Sequence, residues 1–147
     1  MNYAFQDYDN LYLVMDILNG GDLRYHICKN KKFSEEQTSN NYLYLILIYN
    51  FLEFFVACII LGLEYIHVNN ILHRDIKPEN LVLDDRGYVR ITDFGIAKIY
   101  QKENSSETSG TPGYMAPEVM CAQNHTIAVD YFALGVLCFE FMFGFVN

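Results

Sequence analysis

Asp75, Lys77, Asn80 and Asp93 lie within ILHRDIKPENLVLDDRGYVRITDFGIAK, residues 71–98, and their side-chain types together suit metal and phosphate chemistry. A carboxylate at Asp75 can orient a hydroxyl nucleophile and accept its proton, while Lys77 can neutralise a phosphoryl group as a point charge. Asn80 and Asp93 offer oxygen ligands of the kind Mg2+ prefers, alongside those of a bound phosphate. Asp75 and Asp93 are 18 residues apart, so the intervening chain has to fold back for them to act together.

A hairpin is the element that does this. Leu81 to Leu83 is a short apolar run, Asp84-Asp85-Arg86-Gly87 is turn chemistry, and Tyr88 to Ile91 alternates as a strand does. Its two ends meet, which places the loop carrying Asp75, Lys77 and Asn80 beside the loop carrying Asp93.

Alone, Asp-Phe-Gly is an ordinary turn and His-Arg-Asp a surface ion cluster. Here His73-Arg74-Asp75 is followed by Asn80, then by Asp93-Phe94-Gly95, then by Ala116-Pro117-Glu118, in that order and with a hairpin between the first two motifs. This set resembles the catalytic loop, magnesium loop and activation-segment end of a eukaryotic serine/threonine protein kinase of the AGC type. Lys77-Pro78-Glu79-Asn80 resembles the serine/threonine rather than the tyrosine branch. The resemblance implies ATP and Mg2+ as cofactors, Asp75 as base, Lys77 on the transferred phosphoryl group, and Asn80 and Asp93 on the metal. It implies that Thr111 bonds Asp75 and Lys77 and favours Ser or Thr substrates, and that Glu79 reads an arginine upstream of the target, which points to a basic protein substrate.

The resemblance extends to both sides of these motifs. Tyr3 to Ile17 carries two strand-like pieces around the polar turn Gln6 to Asn10, and Leu11 to Met15 reads as a buried strand. It corresponds to the strand leading into the hinge between the kinase lobes, with Met15 as gatekeeper. The backbone of Asp16 and Leu18 would then pair with adenine, Asp22 would reach the ribose, and Val82 would join the cofactor site. Asp22 to Lys29 is a short helix capped by its own Asp. Tyr100 to Thr111 is polar, with Ser105, Ser106, Thr108 and Ser109, as an activation loop should be. The position phosphorylated in similar kinases, four residues before Thr111, holds Glu107. A fixed carboxylate there can pair with Arg74 without modification; the other reading is a solvated Glu107 with the modified site at Thr108. Asp130 to Gly144 resembles the apolar helix on which the larger lobe assembles, with Asp130 bonding the backbone of the catalytic loop. His26, His67 and His125 have no partner at ligand spacing and read as packing or surface residues.

Composition bounds the rest. The 147 residues are enough for one domain, and 52% apolar content is enough for its core. A net charge of −8 argues against a nucleic-acid or anionic-membrane binder. Cys28, Cys58, Cys121 and Cys138 form no CxxC pair, which fits reduced thiols in a cytoplasmic protein. Tyr42 to Leu63 is long and apolar enough to resemble a membrane span, but Glu53 near its middle would be costly there, and a helix buried on all sides in a soluble protein gives the same signal.

Ser34-Glu35-Glu36-Gln37 is a capping box that should open a helix running into Phe54 to His67. Residues 39–52 intervene, and they are drawn almost wholly from Asn, Tyr, Leu, Ile and Phe, all of which have codons made of A and T alone. They read as an insert or a retained intron. An intron beginning GT within the Ser39 codon and ending AG before Glu53 would remove 42 nucleotides and leave one lysine codon between Thr38 and Phe54. A helical insertion is the competing reading: it would add about 21 Å and shift the apolar face by only about 40°.

The fold class expected is α+β, a protein-kinase-like fold comprising mostly the helical C-lobe with the last N-lobe strands, truncated at both ends. The Gly-rich phosphate loop, its partner lysine and the helical Glu of the family do not occur in the chain, and neither does the Arg expected to pair with Glu118. Two function classes follow: ATP-dependent phosphoryl transfer to Ser/Thr hydroxyls of proteins, or a catalytically inactive fragment acting at most as a binding module. Retention of the intron predicts a spliced transcript lacking the 42 nucleotides. Genomic DNA without GT and AG at those two ends would leave only the insertion.

Overall fold

In the computed structural model, which describes residues 1–30, 41–101 and 107–143, one long helix and one late helix enclose most of the core. The long helix is α2 (Asn41–Val68), which follows the hairpin strands β1 (Tyr3–Gln6) and β2 (Leu11–Val14) and the helix α1 (Leu23–Asn30). Next come β3 (Ile71–Leu72), a 3-10 turn at Pro78–Asn80, and the strands β4 (Leu81–Leu83), β5 (Val89–Ile91) and β6 (Lys98–Ile99). Two helices close the chain, α3 (Pro117–Met120) and α4 (Ala128–Phe143).

Ile59, Leu63 and Ile66 of α2 recur at helical spacing and are buried together with Ala133, Leu134 and Leu137 of α4. Leu23 and Leu81 complete that core from α1 and β4. Gly62 lets α2 approach β5 closely, because a Cβ there would lie 2.8 Å from Ile91 Cδ1. The part of residues 39–52 that is described, Asn41 to Leu52, continues α2 without a break, giving a helix of 28 residues and roughly 42 Å. The capping box at Ser34 to Gln37 and the loop serines Ser105 and Ser106 lie outside the described residues. Among the described residues no helix is long and apolar enough to cross a membrane. The four cysteines are free thiols, and burial pushes the Cys138 thiol up.

The expected hairpin forms, with Leu81 opposite Ile91 and Leu83 opposite Val89. Asp84 shapes its turn. One carboxylate oxygen accepts the N–H groups of Arg86 and Tyr88 at 3.0 and 2.9 Å, and the other accepts two bonds from Arg90. Tyr88 therefore closes the turn rather than opening the strand, which starts one residue later than its alternation suggests. At the open end the Thr92 N–H and hydroxyl both donate to the Asn80 carbonyl, at 2.9 and 3.0 Å. Residue 93 thereby follows directly on a residue tied to 80.

The buried-strand expectation for Leu11 to Met15 needs correction. The strand exists, paired with β1, but every residue of the hairpin is exposed. Two strands bury little apolar surface by themselves, and no layer of the described residues packs on either face. His67 and His26, read as packing or surface residues, also carry polar contacts: His67 bonds the Asp130 carboxylate at 2.8 Å, and His26 bonds the Gly20 carbonyl at 2.7 Å. Partners 63 residues away in sequence, or on backbone, leave no spacing signal.

Gly20 and Gly21 dock the segment before α1 onto β4. Gly20 N–H donates to the Leu83 carbonyl at 3.0 Å, and Leu83 N–H returns a bond to Gly21 at 2.9 Å. A Cβ on Gly20 would sit 2.5 Å from both the Cβ and the carbonyl oxygen of Leu83. Gly20→Ala should accordingly cost about 1–3 kcal/mol in urea unfolding. A loss below about 0.5 kcal/mol would show that this contact does not constrain the segment.

Candidate active site

Asp130, on the first turn of α4, is buried and fixes the loop that carries Asp75. It accepts backbone N–H bonds from His73 at 3.0 Å and Arg74 at 2.8 Å as well as the bond from His67. Arg74 is held with φ at +68°, a left-handed conformation that costs a non-glycine residue free energy. His73 is fully buried, and burial pushes its imidazole below the usual value, against an opposing pull from the Thr92 carbonyl and Asp130. Its partners fit a neutral ring, with Nε2–H donating to the Thr92 carbonyl at 3.1 Å and Nδ1 accepting from Asp75 N–H at 3.3 Å. The ring meets Phe94 edge-on, 4.9 Å between centroids. His73 thus couples the two loops, a role that sequence spacing did not assign.

From this frame Asp75 projects into a four-residue cluster. One carboxylate oxygen accepts the Thr111 hydroxyl at 2.7 Å, and the other accepts Lys77 Nζ at 2.8 Å and Asn80 Nδ2 at 2.9 Å. Lys77 Nζ also donates to Thr111 Oγ1 at 2.8 Å, so Asp75, Lys77 and Thr111 form a closed triangle. Burial would raise the Asp75 carboxyl, but the bonds from Lys77, Thr111 and Asn80, with the Lys77 charge, outweigh it and hold the group below the ordinary carboxylate range. Asn80 Nδ2 makes a further bond to the Asp75 carbonyl, which turns Asn80 Oδ1 away from Asp75. Asp93 is exposed, with φ at +61°, and one of its carboxylate oxygens accepts Gly95 N–H at 3.1 Å.

Arg74 reaches the activation loop. Its guanidinium donates to the Ile96 carbonyl through Nε at 2.9 Å and Nη2 at 2.6 Å, and Nη1 meets Glu107 at 3.0 Å. Lys98 takes the other oxygen of Glu107 at 2.8 Å. Lys98 first, and Arg74 second, hold the Glu107 carboxyl below its ordinary value. Thr108 is exposed. Gly110, at φ +127°, returns the chain so closely that a Cβ would lie 2.7 Å from the Arg74 carbonyl oxygen.

Asp22 and Val82 come together through an isolated antiparallel bridge. The Asp22 carboxylate caps α1, accepting Tyr25 N–H at 2.7 Å. Val82 points away from the core that Leu81 and Leu83 join, leaving a half-buried apolar surface beside Asp22. Leu18 is half-buried, Met15 is exposed, and Asp16 accepts a bond from Asn2 at 2.8 Å. Glu79 is engaged by Arg24 Nε at 2.7 Å, a partner that sequence reasoning did not single out.

The Asp75 triangle and the bonds from Asp130 to the loop are contacts of the kind the family resemblance implies, and the hairpin lies between the two motifs as its turn chemistry suggests. A family model for the protein kinase domain matches residues 1–146. The chain belongs to the protein kinase family. It is 43% identical over 146 residues to a probable serine/threonine-protein kinase of Dictyostelium discoideum, covering 98% of this chain and 29% of that one. The cAMP-dependent protein kinase catalytic subunit of the same organism is 40% identical over 142 residues, 97% of this chain and 20% of that protein. Its RAC family serine/threonine-protein kinase homolog is 36% identical over 147 residues, 98% of this chain and 30% of that protein. The chain therefore spans less than a third of the length of these relatives. As a partial kinase domain it has the expected α+β architecture, combining helices with small two-stranded antiparallel sheets. Kinases of this family use ATP and Mg2+ and act on protein substrates.

A depressed carboxyl stabilises the fold above its unfolded value and loses that contribution as pH falls through its folded value. Asp75→Asn should therefore cost about 1–3 kcal/mol in urea unfolding at pH 7. The gap from the unaltered chain should close below about pH 4. A gap that stays constant between pH 7 and pH 3 would overturn the ionised triangle.

Proposed function

We propose that this kinase-family chain carries the phosphoryl-transfer centre of an ATP-dependent protein serine/threonine kinase. The observation that carries the reading is the Asp75–Lys77–Thr111 triangle with Asn80 locked onto Asp75. Asp75 stays ionised, so its first task is to orient a substrate hydroxyl and its second is to receive the proton late in the transfer. Lys77 is positioned to balance charge on the phosphoryl group as it moves. Thr111 presents the hydroxyl that an incoming Ser or Thr would meet beside Asp75.

The oxygen donors fit a hard cation. Asn80 Oδ1 is the amide atom left over after Nδ2 binds Asp75, and Asp93 is a carboxylate on the neighbouring loop. Asn80 and Asp93 would hold Mg2+, leaving its remaining positions to phosphate and water oxygens. ATP, when bound, supplies the phosphoryl group, and Mg2+ the neutralising charge. The half-buried side chain of Val82, bridged to Asp22, suits a purine face, and the backbone of Asp16 and Leu18 would pair with adenine. Asp22 can serve a ribose only while also capping α1, because one of its oxygens is already bonded there.

Glu107 supplies a permanent negative charge where Arg74 and Lys98 converge, so the activation loop is drawn to the catalytic loop without phosphorylation. In the full-length protein, Asp75→Asn should lower phosphate transfer to Ser/Thr peptides by about a thousandfold. Glu107→Ala should lower it by about tenfold or more, and phosphatase treatment of the unaltered protein should leave activity unchanged. Full activity in Asp75→Asn would remove the catalytic reading. Full activity in Glu107→Ala would remove the fixed-charge reading alone.

A further inference from the structure

Arg24 lies on the second residue of α1, outside every motif that marks the active site, yet its guanidinium reaches three separate parts of the chain. Nε meets Glu79 on the 3-10 turn at 2.7 Å, Nη1 meets Glu140 on α4, and Nη2 meets the Tyr114 hydroxyl at 2.7 Å and Glu140 at 3.5 Å. Tyr114 in turn donates to Glu140. Side-chain exposure falls from 44% at Glu79 to 20% at Arg24 and 5% at Glu140. A carboxylate as buried as Glu140 is costly without a cation.

We infer that Arg24 is a specificity-determining residue that holds Glu79 and Glu140 from inside the chain, so that substrates are not selected for a basic side chain at Glu79. Arg24 neutralises Glu79 and takes one of its two oxygens, so a substrate guanidinium gains full pairing with that carboxylate only by displacing a tethered one already seated at high effective concentration. Expulsion would also strip Glu140 and Tyr114 of their shared donor. The motif carrying Glu79 predicts a reader of substrate arginine, whereas the structure gives that carboxylate an internal partner. The inference deepens the kinase reading, since it concerns the substrates of the same site, but its principal test needs no catalysis.

Arg24→Ala should convert the filled position into an open one that takes methylguanidinium. At millimolar methylguanidinium chloride the variant should show a saturable rise in melting temperature of about 3 °C, with none in equal tetramethylammonium chloride. The unaltered chain should show none in either salt, and Arg24→Ala/Glu140→Gln should lose the response. Should Arg24→Ala fail to fold alone, refolding it in either salt decides the matter: soluble protein should return with methylguanidinium only. An equal response of the unaltered chain and Arg24→Ala, or no response of either, overturns the inference; so does persistence in the double variant or equal refolding in both salts. In the full-length protein, kcat/KM for an arginine-containing peptide over its norleucine counterpart should be near one and rise about tenfold in Arg24→Ala. Absence of all phosphate transfer would count against the kinase reading while leaving the guanidinium result to stand or fall separately.

Discussion

A buried carboxylate on α4 is the constraint on which the rest of the site depends. Asp130 is 1% exposed, and an ionised group so placed is tolerated only when donors surround it. Three N–H groups do so, two from the backbone of the catalytic loop and one from His67 on α2. Charge-assisted bonds of this kind contribute about 1.5–3 kcal/mol each, enough to hold Arg74 in its left-handed conformation. The loop is thus fastened to the two helices that form the core, and the core's rigidity passes to Asp75.

The strands around the site are too short to supply that rigidity themselves. β3 and β6 pair over two residues and β4 and β5 over three. Their connections are instead secured by side chains that bond backbone: Asp84 across its turn, Thr92 to Asn80, Asn80 to Asp75, Arg74 to Ile96. Such a site can keep loops for ligand access and still place its groups to within a hydrogen bond. It also explains why the acidic and basic residues of this segment are mostly partnered within the chain, despite the excess of negative charge overall.

Sequence patterns were informative wherever a local rule governs. The Asp84 to Gly87 turn and the Asp22 cap follow from residue type, and both form. Family resemblance carried the contacts that no local rule contains, such as Thr111 with Asp75 and Lys77, Asp130 with the loop, and Arg74 with Glu107. Two kinds of feature were not legible. Burial of β2 could not be judged from its composition, because a run of Leu, Tyr, Leu and Val reads as buried whether or not a second layer covers it. Long-range polar pairs, His67 with Asp130 and Arg24 with Glu79 and Glu140, depend on helix packing angles that spacing along the chain does not encode.

Gly110 brings the activation segment against the catalytic loop with no side chain between them. Its backbone conformation disfavours every L-amino acid, and the Arg74 carbonyl occupies the volume where a Cβ would stand. The two exclusions are independent, so relieving one by a local shift leaves the other in force. Most surface positions tolerate replacement in degrees, according to size or polarity. This one admits a single residue or a displaced loop, which makes it a binary position in the mutational landscape of the chain, with Thr111 immediately downstream carried along by either choice.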